Sequence, residues 1–599
     1  MYGNAVHTLA DAIAFLFFTE MSSLSYKKAT MNYVNTPGAL PASVSANNVN
    51  ASRSRFLAVL LMLIAFLAVS FSTVRNTDSD SRSTLLVSEA LLQHGTVKLD
   101  HYGREAMANY GYTVHEKNGH FYSYFPIGTS IASLPFVAIA NGWGLKMLES
   151  HGALQMAIAA FNAALTIFLM IRLAGLFLPA TSAVVIAGVF WFGTSLASTD
   201  GTALWSHSFA VLFALGALYL SIKVTRLEAT RLWPLISACL FMAYLCRPTM
   251  ALLSPFLLLF IFSYHRAVAI KSAVLLALFL AGLAGFSLHE WGQYLPDYYL
   301  PKRLSGNQFS LALYGNLLSP ARGLLVYSPF IVLAWLCYRN AQPGWPLKKS
   351  WWLIAIAWPV MHWIAISRFP VWAAGWSYGP RFMTDVLPGL FLLTIRTWPV
   401  SFALTPHRQM TAALLLAAGC VFAFYANTWQ SLFNPYSARW NMQPDIGVHP
   451  EYLFDWRYPQ FLHNKERHEA RSNHETGQFN FVQLDFDGSW IRKDDAGMSG
   501  PYAMMSNAPQ GQFKFTATGC FDLGMLKHAW SGIALVSRDG VPIREIDLYE
   551  QETSRTFKAF FEQDSAPHEY IVQVTGKKNP ASGGYEIWVD GVIARPECP

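Results

Sequence analysis

Charge is scarce in this chain. Of its 599 residues only 13% are Asp, Glu, Lys or Arg, where a soluble protein carries about 25%. The deficit is uneven: residues 56–428 hold long apolar runs, whereas 429–599 have the composition of an ordinary soluble domain. That pattern excludes an all-soluble enzyme and a disordered chain. No Lys/Arg block is dense enough for a nucleic-acid partner, and the formal charge of +7 fits the basic loops of a helical membrane protein. Cysteine is sparse too, at six residues, with no CxxC pair and no Cys/His spacing suited to zinc. Cys239, Cys246, Cys337 and Cys420 fall in apolar runs as small hydrophobes. Cys520 and Cys598 fall in the soluble part, where a disulfide is expected if that part lies outside the cytoplasm. There is no Walker A loop, GxSxG or HExxH, and the apolar runs show no Asp/Glu/His relay of the sort a proton-driven pump needs.

What the chain has instead is spans. About 20 apolar residues cross a hydrocarbon core of about 30 Å, and eleven such segments are expected: 56–73, 153–173, 176–198, 203–222, 232–247, 249–264, 268–288, 323–339, 350–367, 383–400 and 409–428. Arg247-Pro248 divides the fifth from the sixth, because the residue before proline leaves the helix. Basic residues at Arg53, Arg55, Lys223, Arg226, Arg231, Arg266, Lys271, Arg339, Lys348, Lys349 and Arg408 share one side if the N terminus is cytoplasmic. Residues 429–599 then emerge on the opposite side, the periplasm of a bacterium with this chain in its inner membrane. The apolar segment 126–148 upsets this count if it spans, so it is expected to lie along the outer surface or to be re-entrant.

Four regions follow: a cytoplasmic extension 1–55, a membrane domain 56–428 with outer loops 74–152 and 289–322, a connector 429–477, and a β domain 478–599. The extension lacks the basic start and cleavage site of a secretory signal, and Met21 and Met31 are alternative starts. In the last region, alternating runs such as Tyr570–Val574 and Tyr585–Val589, punctuated by Asp539-Gly540 and Asp590-Gly591, predict an antiparallel β-sandwich. Trp490, Trp530 and Trp588 there are either core residues or a carbohydrate-binding surface.

The outer loops carry the chemistry. The first begins Asn76-Thr77-Asp78-Ser79-Asp80-Ser81-Arg82, directly after the first span. Paired carboxylates beside an arginine suit a general base or a metal site; the plainer alternative is a cap on the helix starting LLVSEALL. The stretch 367–381 (SRFPVWAAGWSYGPR) sets Arg368 and Arg381 against the positive-inside trend, with Trp376 and Tyr378 between them. Arginine suits phosphate and aromatic rings suit the apolar faces of sugars. Asp385 follows one turn into the next span, where an i,i+4 pair with Arg381 is the structural alternative. Arg247, Arg322, Lys302 and Arg303 add further outer-face cations. Together they favour an anionic ligand at the outer leaflet, a lipid phosphate above all.

Asp78-Ser-Asp80-Ser-Arg82 with Ser88-Glu89-Ala-Leu-Leu-Gln-His-Gly95, the Cys246-Arg247-Pro248-Thr249 turn and Tyr122-Ser-Tyr124-Phe125-Pro126-Ile-Gly128 resemble, in order, motifs of the GT-C superfamily of polytopic glycosyltransferases. That superfamily includes the protein O-mannosyltransferases and the lipid A aminoarabinose transferases. The layout is similar as well: a seven-helix module ending near 288, a second outer loop, then a variable set of spans. The resemblance covers about 56–428 and implies inverting transfer of a sugar from a polyprenyl-phosphate carrier to a periplasmic glycan, lipid or protein. It implies Asp80 as general base with Asp78 as the fallback, and a donor-phosphate role for Arg247. Arg381, Arg322, Arg303 and Lys302 are expected to join Arg247 at the phosphate, with Arg82, Tyr124, Trp376, Tyr378 and Asp385 about the substrate. No cofactor is required, and a divalent metal, if used, is expected at Asp78 and Asp80. Two other functions are compatible with the same cations: a lipid-linked-sugar flippase or exporter, and an O-antigen ligase or polymerase.

Overall fold

The structure is a computed structural model describing residues 43–336, 345–398, 406–442, 446–447, 450–467, 484–493, 503–551, 553–560 and 566–594. Most of the extension, Cys337 and Cys598 lie outside these residues. Among the described residues five helices are long and apolar enough to cross a membrane: Ser52–Ser70, Met147–Ala174, Ser206–Leu227, Arg266–Trp291 and Met410–Phe433. Their sequences show why they pack as they do. In Met147–Ala174 the buried positions Gln155, Ile158, Ala159, Asn162, Ala163, Thr166, Ile167 and Met170 recur at helical spacing on one face. Elsewhere large apolar side chains point out of the protein: Val59, Leu63 and Leu67 on the first helix and Ile270, Val274 and Leu278 on Arg266–Trp291 are exposed. A contiguous apolar exterior of this kind marks contact with lipid.

The remaining expected spans form shorter or broken helices. Ala180–Phe192, Trp233–Cys246 and Leu253–Phe262 are each a few turns long. Arg247, held extended (φ −143°) before Pro248, separates the last two. Leu324–Tyr327 and Phe330–Leu336 are interrupted at Ser328-Pro329. Residues 353–357 widen into a π-helical turn before Trp358–Ile366, and Arg381–Val386 is 3₁₀ before Leu387–Thr397. Within the segment 126–148 the apolar run forms the helix Gly128–Gly142, 15 residues, and Met147 already opens the next long helix. Ser88 Oγ donates to Ser130 O across its buried face at 2.8 Å. A Cβ on Gly128 would stand 2.3 Å from the backbone at Leu245 and Cys246, so only glycine permits this approach.

The described connector residues belong to the helical body. Thr73 N and Val74 N donate to Leu432 O, and Trp440, Leu453 and Trp372 share a buried cluster with Ala312 and Ala321.

The C-terminal region holds two five-stranded antiparallel sheets. One runs Ser554–Phe560, Phe521–Lys527, Ile587–Ala594, Ala503–Ser506, Ile491–Lys493; the other runs Asp485–Phe486, Gln512–Thr518, Pro567–Lys578, Gly532–Arg538, Val541–Asp547. Strict alternation in Gln512–Thr518 sends Phe513, Phe515 and Ala517 inward. They meet Phe521, Leu523 and Met525 of the first sheet in one core. Trp490 is part of that core, Trp588 is half-buried and Trp530 is exposed. Cys520 is disulfide-bonded.

Candidate functional site

The first long helix ends at Ser70, and the chain then makes successive turns: Ser79 N donates to Asn76 O, Arg82 N to Ser79 O and Thr84 N to Ser81 O. Asn, Asp and Ser favour such turns because their side chains satisfy the local backbone. The helix Thr84–His94 is capped by Ser83 without a side-chain hydrogen bond, so neither aspartate serves as its cap. The turns aim the two carboxylates apart. Asp78, largely exposed, meets Arg82 at 3.5 Å and His151 at 3.4 Å. Asp80 accepts from Tyr112 Oη at 3.1 Å and from Arg381 Nη1 at 3.0 Å. Among the described residues no three His, Cys, Asp or Glu side chains gather as a metal centre.

Asp80 lines a cavity of about 600 Å³ with Tyr112, Tyr124, Trp205, Tyr298, Lys302, Arg303, Trp376 and Arg381. Arg381 lies flat over Trp205, 4.1 Å from the ring centre, and its Nη2 donates to Ala374 O at 2.9 Å. Arg303 stacks 3.6 Å over Tyr298 and touches the rings of Tyr124 and Phe369. Arg381 Nε and Arg303 Nη1 are buried N–H groups with no acceptor among the described residues. Burial, reinforced by the Asp80 charge, raises the Tyr112 phenol above its usual pKa, so it stays a hydrogen-bond donor.

Beneath the cavity lies a buried carboxylate. Asp385 is hydrogen-bonded to His207 Nδ1 at 2.7 Å, Arg247 Nε at 3.2 Å and Thr249 Oγ1 at 3.5 Å, and His362 Nε2 stands 3.4 Å away without a hydrogen bond. These side chains come from separate elements, and Arg247 Nη1 reaches on to Tyr298 Oη at 3.4 Å. The i,i+4 pair of Arg381 with Asp385 is not the arrangement found: Arg381 pairs with Asp80 and Asp385 with Arg247.

The two outer loops are tied together around the site. Thr96 Oγ1 donates to Glu290 at 2.7 Å, Tyr122 Oη to Glu290 O at 2.7 Å, and Lys117 pairs with Asp297 at 3.0 Å. Burial alone would raise the Asp297 carboxyl, but hydrogen bonds from Lys117 and Gln293 and the charges of Lys117 and Lys302 outweigh it and hold it below the usual range.

Asp80, Arg381, Arg303, Lys302, Tyr124 and Trp376 thus converge on one cavity, with Arg247 and Asp385 directly behind Tyr298. Arg82, Tyr378 and Arg322 do not line it. Arg82 packs 4.5 Å over Tyr110 and donates to Asn109 O. Tyr378 is buried and donates to Ala426 O at 2.5 Å. Arg322 is wholly committed to the protein: Nε donates to Ala373 O, Nη1 to Ala321 O and Gln460 Oε1, and Nη2 to Gly375 O and Asn441 Oδ1. All five of its N–H groups have acceptors, so it fixes the 373–375 backbone that walls the cavity. Sequence reasoning missed Tyr112, Trp205 and Tyr298, which carry no local signal. It also passed over His207 and His362. Both stand in apolar runs, where an ionisable side chain is itself a functional signal.

No family model matches the chain, and no curated protein matches it. Among solved structures, a Paenibacillus xanthan lyase is similar over 19% of this chain and 12% of its own, at 18% identity and a TM-score of 0.16. That similarity spans only a small part of either protein.

Proposed function

We propose that this protein is an integral membrane glycosyltransferase of the GT-C type, moving a sugar from a polyprenyl-phosphate carrier to a periplasmic acceptor with inversion. In this proposal the short and broken helices complete about eleven crossings of the bacterial inner membrane. The N terminus is then cytoplasmic, and the paired C-terminal sheets form a periplasmic β-sandwich.

The observation that carries the proposal is the meeting, in one cavity, of a single carboxylate with two arginines that each hold an unpaired buried N–H. Buried donors without acceptors call for an explanation, and an anionic ligand provides one. Asp80 Oδ removes the proton from the acceptor hydroxyl as that oxygen bonds to the anomeric carbon. The anomeric C–O bond to phosphate breaks on the opposite face, and its electron pair leaves with the polyprenyl phosphate. Arg381, Arg303 and Lys302 stabilise the charge that develops there. Arg247, braced by Asp385, sets Tyr298 beneath Arg303.

The test is glycan transfer by purified Asp80→Asn and Asp78→Asn variants, given polyprenyl-linked sugars and cell-envelope acceptors, after both are shown to fold and to bind donor. Loss of transfer in Asp80→Asn with only weakening in Asp78→Asn supports the proposal. Normal transfer by both overturns the carboxylate mechanism and points to an arginine-based ligase. Movement of lipid-linked sugar across vesicles without transfer points to a flippase.

A further inference from the structure

At one end of the C-terminal sheets, the turn 528–531 joins Phe521–Lys527 to Gly532–Arg538 and lies against the loop 579–586. Trp530 stands on this turn, 60% exposed. Its ring is seated on two glycines. A Cβ on Gly583 would lie 3.1 Å from Cε3 and 3.2 Å from both Cδ2 and Cζ3, nearly equidistant from three ring atoms and therefore above the ring face. A Cβ on Gly584 would lie 3.4 Å from Cε3. One face of the indole thus lies against the glycine backbone.

The support is rigid. Trp530 N donates to His528 Nδ1 at 3.0 Å, Gly583 N to Ala529 O at 2.8 Å and Glu586 N to Trp530 O at 3.0 Å. Ser582, buried between the loops, donates to Ser531 O at 2.8 Å. The indole N–H itself makes no hydrogen bond to a described residue. The same segments carry polar and aromatic groups: Tyr585, 42% exposed with the Lys578 ammonium 5.0 Å from its ring centre; Asn579, donating to Asp547 at 2.7 Å and accepting from Ala581 N at 3.1 Å; and Glu586, accepting from Trp588 Nε1 at 2.9 Å and 3.7 Å from His528.

From this geometry we infer that Trp530 and its two supporting loops form a saccharide-binding site, whose ligand is a hexopyranose unit of an oligosaccharide. The negative face of an aromatic ring attracts the polarised C–H groups on the flat side of a pyranose. A platform already held in place loses little conformational freedom on binding. The free indole N–H matches a hydroxyl at the sugar's edge. A lipid surface fits less well, because membrane insertion needs contiguous apolar area and the two loops also carry His528, Asn579 and Glu586. A protein hot spot is usually ringed by further packed contacts, which a solitary platform lacks.

The site is independent of the membrane cavity, and its test separates the two. Full-length protein in detergent is titrated calorimetrically with cellohexaose, maltohexaose and mannohexaose. At least one is expected to bind, with Trp530→Ala weakening it tenfold or more, Trp530→Phe retaining part of it and Asp80→Asn leaving it unchanged. Gly583→Val, which tilts the ring, is expected to weaken it as well. The inference is overturned if none of the three binds, if Trp530→Ala binds as the parent does, or if Asp80→Asn abolishes binding. Should Trp530→Ala fail to fold, Trp530→Phe against Tyr585→Ala decides: the same binding in Trp530→Phe, with all of it lost in Tyr585→Ala, overturns the role of Trp530.

Discussion

Arg381 Nη1 lies 3.0 Å from Asp80 Oδ2, joining residues 301 positions apart in sequence at the mouth of the helical body. The same guanidinium donates to Ala374 O and stacks on Trp205, so one side chain locates the carboxylate, a loop and an aromatic wall at once.

Arg381→Lys is therefore not a conservative change. A lysine keeps the charge but not the planar fork, and it cannot hold Asp80 and Ala374 O in this geometry while stacking on Trp205. Sugar transfer is expected to fall by about 10²-fold or more, the scale of losing a positioned charge stabiliser, with the thermal midpoint lowered by a few degrees at most. Transfer rates and thermal unfolding in detergent measure the two effects. Unchanged transfer would remove Arg381 from the site.

Arg322 and Lys302, both outer-face cations in sequence, are expected to separate cleanly. Arg322→Lys leaves at least two of its five acceptors unpaired, at about 1–3 kcal/mol for each that is buried. It should lower the thermal midpoint and disorder the 373–375 wall. Lys302→Ala removes an exposed charge at the cavity rim. It should leave the midpoint unaltered and weaken donor binding severalfold, more at low salt than at high salt. The opposite pattern would exchange their roles.

Asp385 is the acceptor for a buried cluster rather than a surface ion pair. Removing one partner of a buried pair costs about 3–5 kcal/mol because the other charge is left uncompensated. Asp385→Ala is expected to destabilise the protein by that order, and pairing it with Arg247→Met should restore part of the loss. A double-mutant cycle on thermal stability checks the coupling, which additive effects of the two substitutions would refute.

The Lys117–Asp297 bridge between the outer loops makes an acid-dependent contribution. Asp297 has a folded pKa below its unfolded value. Its stabilisation is therefore fully present above the unfolded carboxylate value of about 3.9. It is lost as pH falls through the lower folded value. Between about pH 5 and pH 2 the parent is expected to lose more stability than Asp297→Asn, whose amide does not titrate. Parallel thermal-midpoint curves for the two proteins would contradict this.

Three features are legible in residue order alone: the apolar, membrane-type runs within 56–428, the strand pattern of the C-terminal region and the break at Arg247-Pro248. Each rests on local physics: the length and polarity of a run, period-two alternation, and the clash of a proline ring with the residue before it. The five long helices, the two sheets and the extended Arg247 all follow from those rules. Residue type puts Asp78 and Asp80 forward together, as it does Arg303, Arg322 and Arg381, and only the resemblance favours Asp80. Which of several alike residues face the cavity is set by packing between distant segments. Asp78 and Asp80 are two positions apart, yet successive turns send one to Arg82 and His151 and the other to Arg381. Arg322 and Arg381 are both arginines after an apolar run, but the acceptors that consume Arg322 include Gln460 and Asn441 from the region read as a connector. Where a side chain's partners come from distant segments, its role depends on long-range packing, and no local pattern encodes that.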